Sequence, residues 1–425
     1  MRSAVLTITV ALTFAMIHPL AATAQAPQPL TLAQLIARAE ERNPAIAAAR
    51  QAVQAAEARV LLARSGRGPV FSASGSVATA GGGTATATPA FSSWLSVSGS
   101  YLLYDSGQVQ LAIRQADASL RAARLAFEVV RQDIAQNTAL AYINVLRSTR
   151  AVVLREQTVL LNQELVRMAE GQFRAGVVPR ADVVRAQAGL AAAEGELIAA
   201  RNAVEQANAA LNAATGQAPI APIQVAQPEP APPVTVAAAD LARLVEERPE
   251  IRRALAEIEV AEIGLLLAQA GNGLRVTLEG RATQSFSPTA QTTYSIGSSM
   301  SLPLSDAGRV QAQVAEATAN LAAARARIET TRLTAQQQAV TALLAVLDAR
   351  ARIASARAQV AFAQESLRLA QGRFAAGAGP LLEVTDAQTV LVQAEVTLTR
   401  AEYDELASVI SLRYALGRSV VTGPL

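Results

Sequence analysis

This chain is written twice, and each copy interrupts a very long helical pattern with one short β-hairpin. Shifted by 205 residues, RNPAIAAARQAVQAAEARVLLARSGRG (from Arg42) lies over ERPEIRRALAEIEVAEIGLLLAQAGNG (from Glu247). Pro44 then meets Pro249, and the pairs Gly66/Gly271, Gly68/Gly273 and Gly75/Gly280 coincide. Shifted by 201, LYDSGQVQLAIRQADASL (from Leu103) lies over LSDAGRVQAQVAEATANL (from Leu304), and RMAEGQFRAGVVPRADVVRAQ (from Arg167) over RLAQGRFAAGAGPLLEVTDAQ (from Arg368). The offset changes between the two strands of the hairpin, so the first copy has the longer loop. A repeat of this length is a duplicated structural unit rather than a solenoid module.

Composition narrows the classes. Aromatics are 4% of the 425 residues and the apolar fraction is mostly Ala and Leu, which suits close-packed helices better than a thick globular core. Every base is an arginine, net charge is only +3, and no basic stripe is interleaved with aromatics, so nucleic acid is excluded as a partner. The N-terminus reads as an export signal over residues 1–24, with Arg2, the apolar run VLTITVALTFAMI and the cleavage site Ala22-Thr23-Ala24. Beyond it no apolar run is long enough to span a bilayer as a helix. There is no cysteine, and the single histidine, His18, lies inside the signal. A mature chain without His or Cys lacks the usual zinc ligands and the usual activated nucleophiles, so the reading is a non-enzyme with no metal and no cofactor.

The first structural repeat runs over residues 25–217. Thr31 with Gln34 three residues on forms a capping-box pattern that opens an amphipathic helix, and Pro44 marks a kink or a junction within it. The hairpin of 70–103 follows, with Leu95, Val97, Gly99 and Tyr101 alternating with serines around the loop AGGGTATATPAFS. From Gln108 to Glu170 there is neither Gly nor Pro, and likewise from Arg309 to Gln371. Each is a rod of roughly 95 Å at the helical rise. The rods end at matched turns, Gly176-Val177-Val178-Pro179 and Gly377-Ala378-Gly379-Pro380, and the chain reverses into shorter helices ending near Gly216 and Gly417. The shorter helix and the helix entering the hairpin together match one rod, which invites end-to-end stacking beside it. Six prolines between Pro219 and Pro233 make residues 218–238 an extended linker. The second repeat covers 239–425, with its hairpin at 275–304.

Each strand is about the ten residues that a tilted membrane strand needs. Four such strands cannot close a barrel, and an open sheet edge in lipid is prohibitively costly. Three chains would supply twelve strands and twelve helical columns. The expected fold is therefore mainly α with a small β part: duplicated long-helix coiled-coil hairpins plus two β-hairpins, forming a trimeric 12-stranded β-barrel on an α-helical barrel. The other reading is an exported periplasmic coiled-coil scaffold without channel activity, which explains the rods but not the matched strand pairs. Trp94, Tyr101, Tyr104 and Tyr294 lie near strand ends, where aromatics gather at a membrane interface, although ordinary packing accounts for them nearly as well.

The helix start at Asn43-Pro44, the hairpin followed by Tyr104-Asp105-Ser106-Gly107, the F-x-x-G tips and the D-A-Q helix together resemble the TolC-type outer-membrane efflux proteins (the outer membrane factors), over essentially the whole mature chain and in both halves. The resemblance implies a homotrimeric channel-tunnel in outer-membrane lipid that extends into the periplasm. It docks to a periplasmic adaptor (membrane fusion) protein and an inner-membrane pump of the RND or ABC type, in efflux or type I secretion.

That resemblance gives the helix tips their roles. Glu383 and Asp386 share a helix face and stand where the family places acids that ring the tunnel entrance, and Asp182 stands at the tip acid of the first copy. Acids in a first helical turn also simply complement the helix dipole. The family's gate lock pairs the tip acid with a Tyr and an Arg, but here those positions hold Phe374 and Gly379. Arg180 and Arg373 are the bases left to substitute. Packing of Phe173 and Phe374 is another means of holding the gate shut, although both are more simply core residues. Gly176, Val177 and Gly377 are the tips where the adaptor is expected, and as glycine turns they also serve a plain helix reversal.

Overall fold

The computed structural model describes residues 29–80, 90–227, 240–287 and 290–419. The export signal, most of the first hairpin loop and the distal part of the proline-rich linker lie outside the described residues. The chain is mostly helical with one antiparallel sheet.

The entry helix is two helices, α1 (Leu32–Arg42) and α2 (Pro44–Ser65), which meet at Asn43. Thr31 and Gln34 close the capping box that opens α1, with Thr31 N donating to Gln34 Oε1 at 3.0 Å. Asn43 is in extended backbone, where Pro44 forces it, and its Oδ1 accepts from Ala45 N as the N-cap of α2. Strands β1 (Val70–Ala80) and β2 (Ala90–Tyr104) follow, then α3 (Gln108–Arg174) and α4 (Arg180–Ala214). The second copy gives a single-turn α5 (Leu241–Val245), then α6 (Pro249–Gln269), β3 (Arg275–Ser287), β4 (Gln291–Ser301), α7 (Arg309–Ala375) and α8 (Leu381–Ala415). Both rods are 67 residues, or about 100 Å at the helical rise.

The rods start by one device. In Asp105-Ser106-Gly107 and Asp306-Ala307-Gly308 the last two residues both take positive φ, which turns the chain sharply out of the hairpin. The Asp carboxylate then receives the orphan amides of the first turn: Gly107 and Val109 in one copy, Gly308 and Val310 in the other. The Val310 amide, with the Asn272 side chain, holds the Asp306 carboxyl below the usual carboxylate range.

Packing orders the helices into four columns. The α3 rod touches α2, α4, α6 and α8, while α7 touches α6 and α8. The columns are thus α2 over α4, then α3, then α6 over α8, then α7. The stacking joints differ between the copies. In the first, Asn43 Nδ2 donates to Ala214 O at 2.8 Å, and Gly216 (φ 72°) lies so close to Arg42 that an added Cβ would stand 2.5 Å from its carbonyl oxygen. In the second, Gly417 (φ 67°) rests on Arg248, whose guanidinium is buried. Arg248 pairs with Glu250, donates to Gln338 Oε1 at 2.8 Å and lies over the Tyr414 ring, 5.3 Å from its centroid. A buried charge needs such partners.

The core runs as three clusters along this frame. One surrounds the second joint, with Val245, Ile251, Val346 and Leu412. One fills the first joint, with Leu35, Tyr142, Leu146 and Leu211. The third lies behind the helix tips, with Leu165, Val183, Phe374 and Val384. Many members are alanines, which lets the helix axes approach closely. The start of the linker packs against the first joint: Leu30 bridges Val225, and Tyr142 Oη donates to Ala226 O at 2.7 Å.

Candidate functional site: the sheet and the helix tips

The four strands form one sheet in the order β1-β2-β3-β4, every pair antiparallel. The two hairpins are therefore joined edge to edge through β2 and β3, leaving β1 and β4 as unpaired edges. Alternation sorts the side chains onto two faces. One face carries Phe71, Leu95, Val97 and Tyr101 with Leu278, Ala282, Ile296 and Met300, in the register Val97↔Ala282 and Tyr101↔Leu278. The other carries hydroxyls that bond one another across the strands: Ser72 to Ser98 at 2.8 Å, Thr283 to Ser96 at 3.1 Å and Thr277 to Ser299 at 2.8 Å. Phe71 lies over Gly99, where a Cβ would stand 2.8 Å from the ring. Tyr101 and Tyr294 are on the apolar face. A shift of register at Leu102/Tyr104 brings Tyr104 to the same face, opposite Val276, whereas Trp94 lies with Ser96 on the hydroxyl face.

On the apolar face Leu95, Val97, Tyr294, Ile296 and Met300 are all exposed. An apolar face of this extent with hydroxyls behind it is the pattern of a membrane strand. No helix among the described residues is long and apolar enough to cross a membrane.

At the other end the two helix reversals share one geometry. Gly176 (φ 74°) and Gly377 (φ 69°) take the left-handed position, and the next amides, Val177 N and Ala378 N, reach back to Gln172 O and Arg373 O at 2.9 and 2.8 Å. The reversals lie side by side: Gln172 Nε2 donates to Phe374 O at 3.1 Å, and a Cβ on Gly377 would touch Val177. Val177 itself is exposed.

The matched phenylalanines diverge. Phe374 is fully buried among Leu165, Leu367, Leu381 and Val384, whereas Phe173 is 43% exposed. The tip acids diverge as well. Glu383 pairs with Arg373 at 3.3 Å, across the space that Gly379 leaves open. Asp182 pairs along its own helix with Arg185 at 3.6 Å, so neither Arg180 nor Arg373 reaches it. Asp386 is exposed and has no ion-pair partner among the described residues. Among those residues no group of acids and imidazoles is arranged to hold a metal ion.

The chain matches the outer membrane efflux protein family over residues 35–217 and 241–418, one stretch in each repeat. It belongs to that family. It is 29% identical over 297 residues to nodulation protein T of Rhizobium leguminosarum bv. viciae, a match covering 67% of this chain and 60% of that protein. It is 26% identical over 408 residues to the outer membrane efflux protein BepC of Brucella suis biovar 1 (strain 1330), covering 93% of this chain and 87% of the relative. The fold superimposes on the channel protein CusC with a TM-score of 0.81 at 21% identity, over 91% of this chain and 92% of that one. The protein is thus an outer-membrane efflux channel reaching into the periplasm, of a family of channels rather than enzymes.

Proposed function

We propose that three copies close this chain into one conduit, the exit duct of a tripartite efflux or type I secretion assembly. One observation carries the reading: the sheet has an apolar face and two unpaired edges, β1 and β4. In lipid each unsatisfied edge group costs several kcal/mol. Joining β4 of one copy to β1 of the next removes every edge, and three copies give the twelve strands of a small closed barrel. The same closure sets α7 of one copy beside the α2/α4 column of the next, where Leu333, Leu344 and Phe362 on one side and Leu61, Leu62 and Ile198 on the other stand exposed.

The helix tips are then the periplasmic entrance. Glu383, Asp386 and Asp182 form its acidic rim, Phe374 and Phe173 pack the closed state, and Gly176, Val177 and Gly377 meet a periplasmic adaptor, which links the duct to an inner-membrane pump of the RND or ABC type. Carboxylates brought together around one axis attract multivalent cations.

The test is single-channel conductance of the purified mature chain in a planar bilayer, with hexamminecobalt added to each side in turn. A steady conductance blocked from one side, and released from block in Glu383→Ala/Asp386→Ala, is the expected outcome. Unchanged block in the double variant would remove the acids from the lumen. A chain that stays soluble and does not fractionate with outer membrane would overturn the duct.

A further inference from the structure

The four strands hold only three charged residues, and all are on one strand and one face: Arg275, Glu279 and Arg281 of β3. That face is the hydroxyl face, since Ser299 Oγ reaches Glu279 Oε1 at 3.5 Å. Arg275, at the strand start, is taken up by the helical part through Gln108 Oε1 at 3.4 Å. Glu279 and Arg281 are different. Their cross-strand neighbours are Ser100 and Gly297 for Glu279, and Ser98 and Ser295 for Arg281. Small residues on both sides leave two long charged side chains standing clear, and both are exposed. Neither makes an ion pair among the described residues.

Duplication sharpens the point. At the 205-residue offset, Glu279 and Arg281 lie over Ser74 and Ser76. The first hairpin thus carries serines at those two positions, and neither of its strands holds a charge. These two side chains are additions in one copy only. A closed trimer then carries each of them three times, spaced by a third of a turn. They sit two residues apart, about 7 Å along the strand, with Glu279 on the helical-domain side and Arg281 toward the hairpin loop.

We propose that Glu279 and Arg281 form a two-ring charge filter inside the barrel, a carboxylate ring inward and a guanidinium ring outward, whose outer ring binds small multivalent anions. The inference rests on the trimeric channel reading and adds a site to it. A twelve-stranded barrel is about 24 Å across its backbone, and side chains reaching in leave the charges on the order of 6 Å from the axis. That is inside the Debye length of about 10 Å at 0.1 M salt, so every permeating ion feels both rings in turn. Guanidinium forks suit phosphate oxygens, which the carboxylate ring repels.

The experiment is bilayer recording of the full mature trimer in a KCl gradient, with inorganic pyrophosphate added on the hairpin-loop side. It is run in the wild-type tip background and with Glu383→Gln/Asp386→Gln, so that tip charges do not mask the barrel. Arg281→Gln should raise the cation-to-anion permeability ratio about twofold and weaken pyrophosphate block about tenfold, the scale of losing one charged ring. Glu279→Gln should move the ratio the opposite way, and Arg281→Lys should keep the wild-type ratio. Opposed shifts from two neutralisations two residues apart cannot come from general misfolding. Wild-type selectivity and block in all three variants would overturn the filter while leaving the channel intact. Membrane-inserted trimers silent in both backgrounds would overturn the channel reading itself.

Discussion

The Tyr414 hydroxyl donates to Asp133 Oδ1 at 2.6 Å, tying the last turn of α8 to the middle of α3 across 281 residues of sequence. The same hydroxyl is 3.3 Å from Glu250 Oε1, the acid that partners the buried Arg248. One phenol therefore joins three helices in two of the four columns, at the level where α8 stops and α6 begins. Burial, and then the bond to Asp133, pushes its pKa well above the ordinary tyrosine value. Tyr414→Phe should destabilise the helical part by about 1–2 kcal/mol, because Asp133 loses its donor in a partly buried site. Thermal unfolding followed by circular dichroism measures it, and an unchanged midpoint would mean that water replaces the bond without loss.

The direction of that shift also fixes an alkaline limit. A phenol whose pKa is raised on folding adds stability below its unfolded value of about 10, and that stability is lost as pH rises further. Burial pushes Tyr142 and Tyr403 the same way. Denaturation midpoints should therefore be flat to about pH 9.5 and fall above it, with a shallower fall in Tyr414→Phe.

The two stacking joints should tolerate alanine unequally. Both glycines have positive φ, but a Cβ on Gly216 would press on the Arg42 carbonyl at 2.5 Å, against 3.2 Å from Arg248 Cα for Gly417. Gly417→Ala should cost about 1–2 kcal/mol from its backbone conformation, and Gly216→Ala distinctly more, since the α4-α2 joint must open. Urea unfolding of the two variants side by side decides the order.

At the tip, Arg373 already occupies Glu383. Removing the base rather than the acid should therefore deepen the negative rim. Arg373→Ala is expected to strengthen block by multivalent cations several-fold in bilayer recording, opposite to the effect of removing Glu383, because it leaves a carboxylate uncompensated. Weaker block would place Arg373 in a different role, as a clamp on the tip.

Neighbouring strand residues should respond in opposite ways to one charge. Val97 is on the apolar face and Ser98 on the hydroxyl face. Arginine facing lipid near mid-membrane costs about 2–4 kcal/mol, while the lumen face accepts it. Val97→Arg should impair insertion into outer-membrane lipid and Ser98→Arg should not. Equal insertion of both would contradict the facing of the sheet.

Much of this architecture is legible in the sequence because it rests on short-range chemistry. Thr31 and Gln34 announce a capping box, Asn43-Pro44 a junction, Gly176 and Gly377 the reversals, and the serine alternation a two-faced strand. The end-to-end stacking followed from counting residues between those marks. Other features were hidden because they depend on which column faces which. Phe173 and Phe374 occupy equal places in the two copies, yet only Phe374 joins the buried cluster that holds Leu165 and Val183 of the other coiled coil. The Arg248–Glu250–Tyr414–Asp133 network joins elements with no shared period, and its counterpart in the first copy is built from Asn43 and Asn212 amides instead. The half-buried Leu30–Val225 bridge turns the opening of a proline-rich linker into a strap, which its composition does not foretell. The face that Trp94 takes, with Ser96, follows from strand parity and not from its nearness to a strand end.

The unpaired edges of β1 and β4 also constrain how the molecule is made. A single chain has no place in a bilayer, because its sheet would arrive with two open borders. The helical columns carry no such penalty in water and can form before any contact with membrane. On the proposed closure of three copies, insertion is a collective step, and its rate should climb steeply with chain concentration. In that proposed assembly the stalk is a jig, the part that keeps the sheets in register until they leave water together.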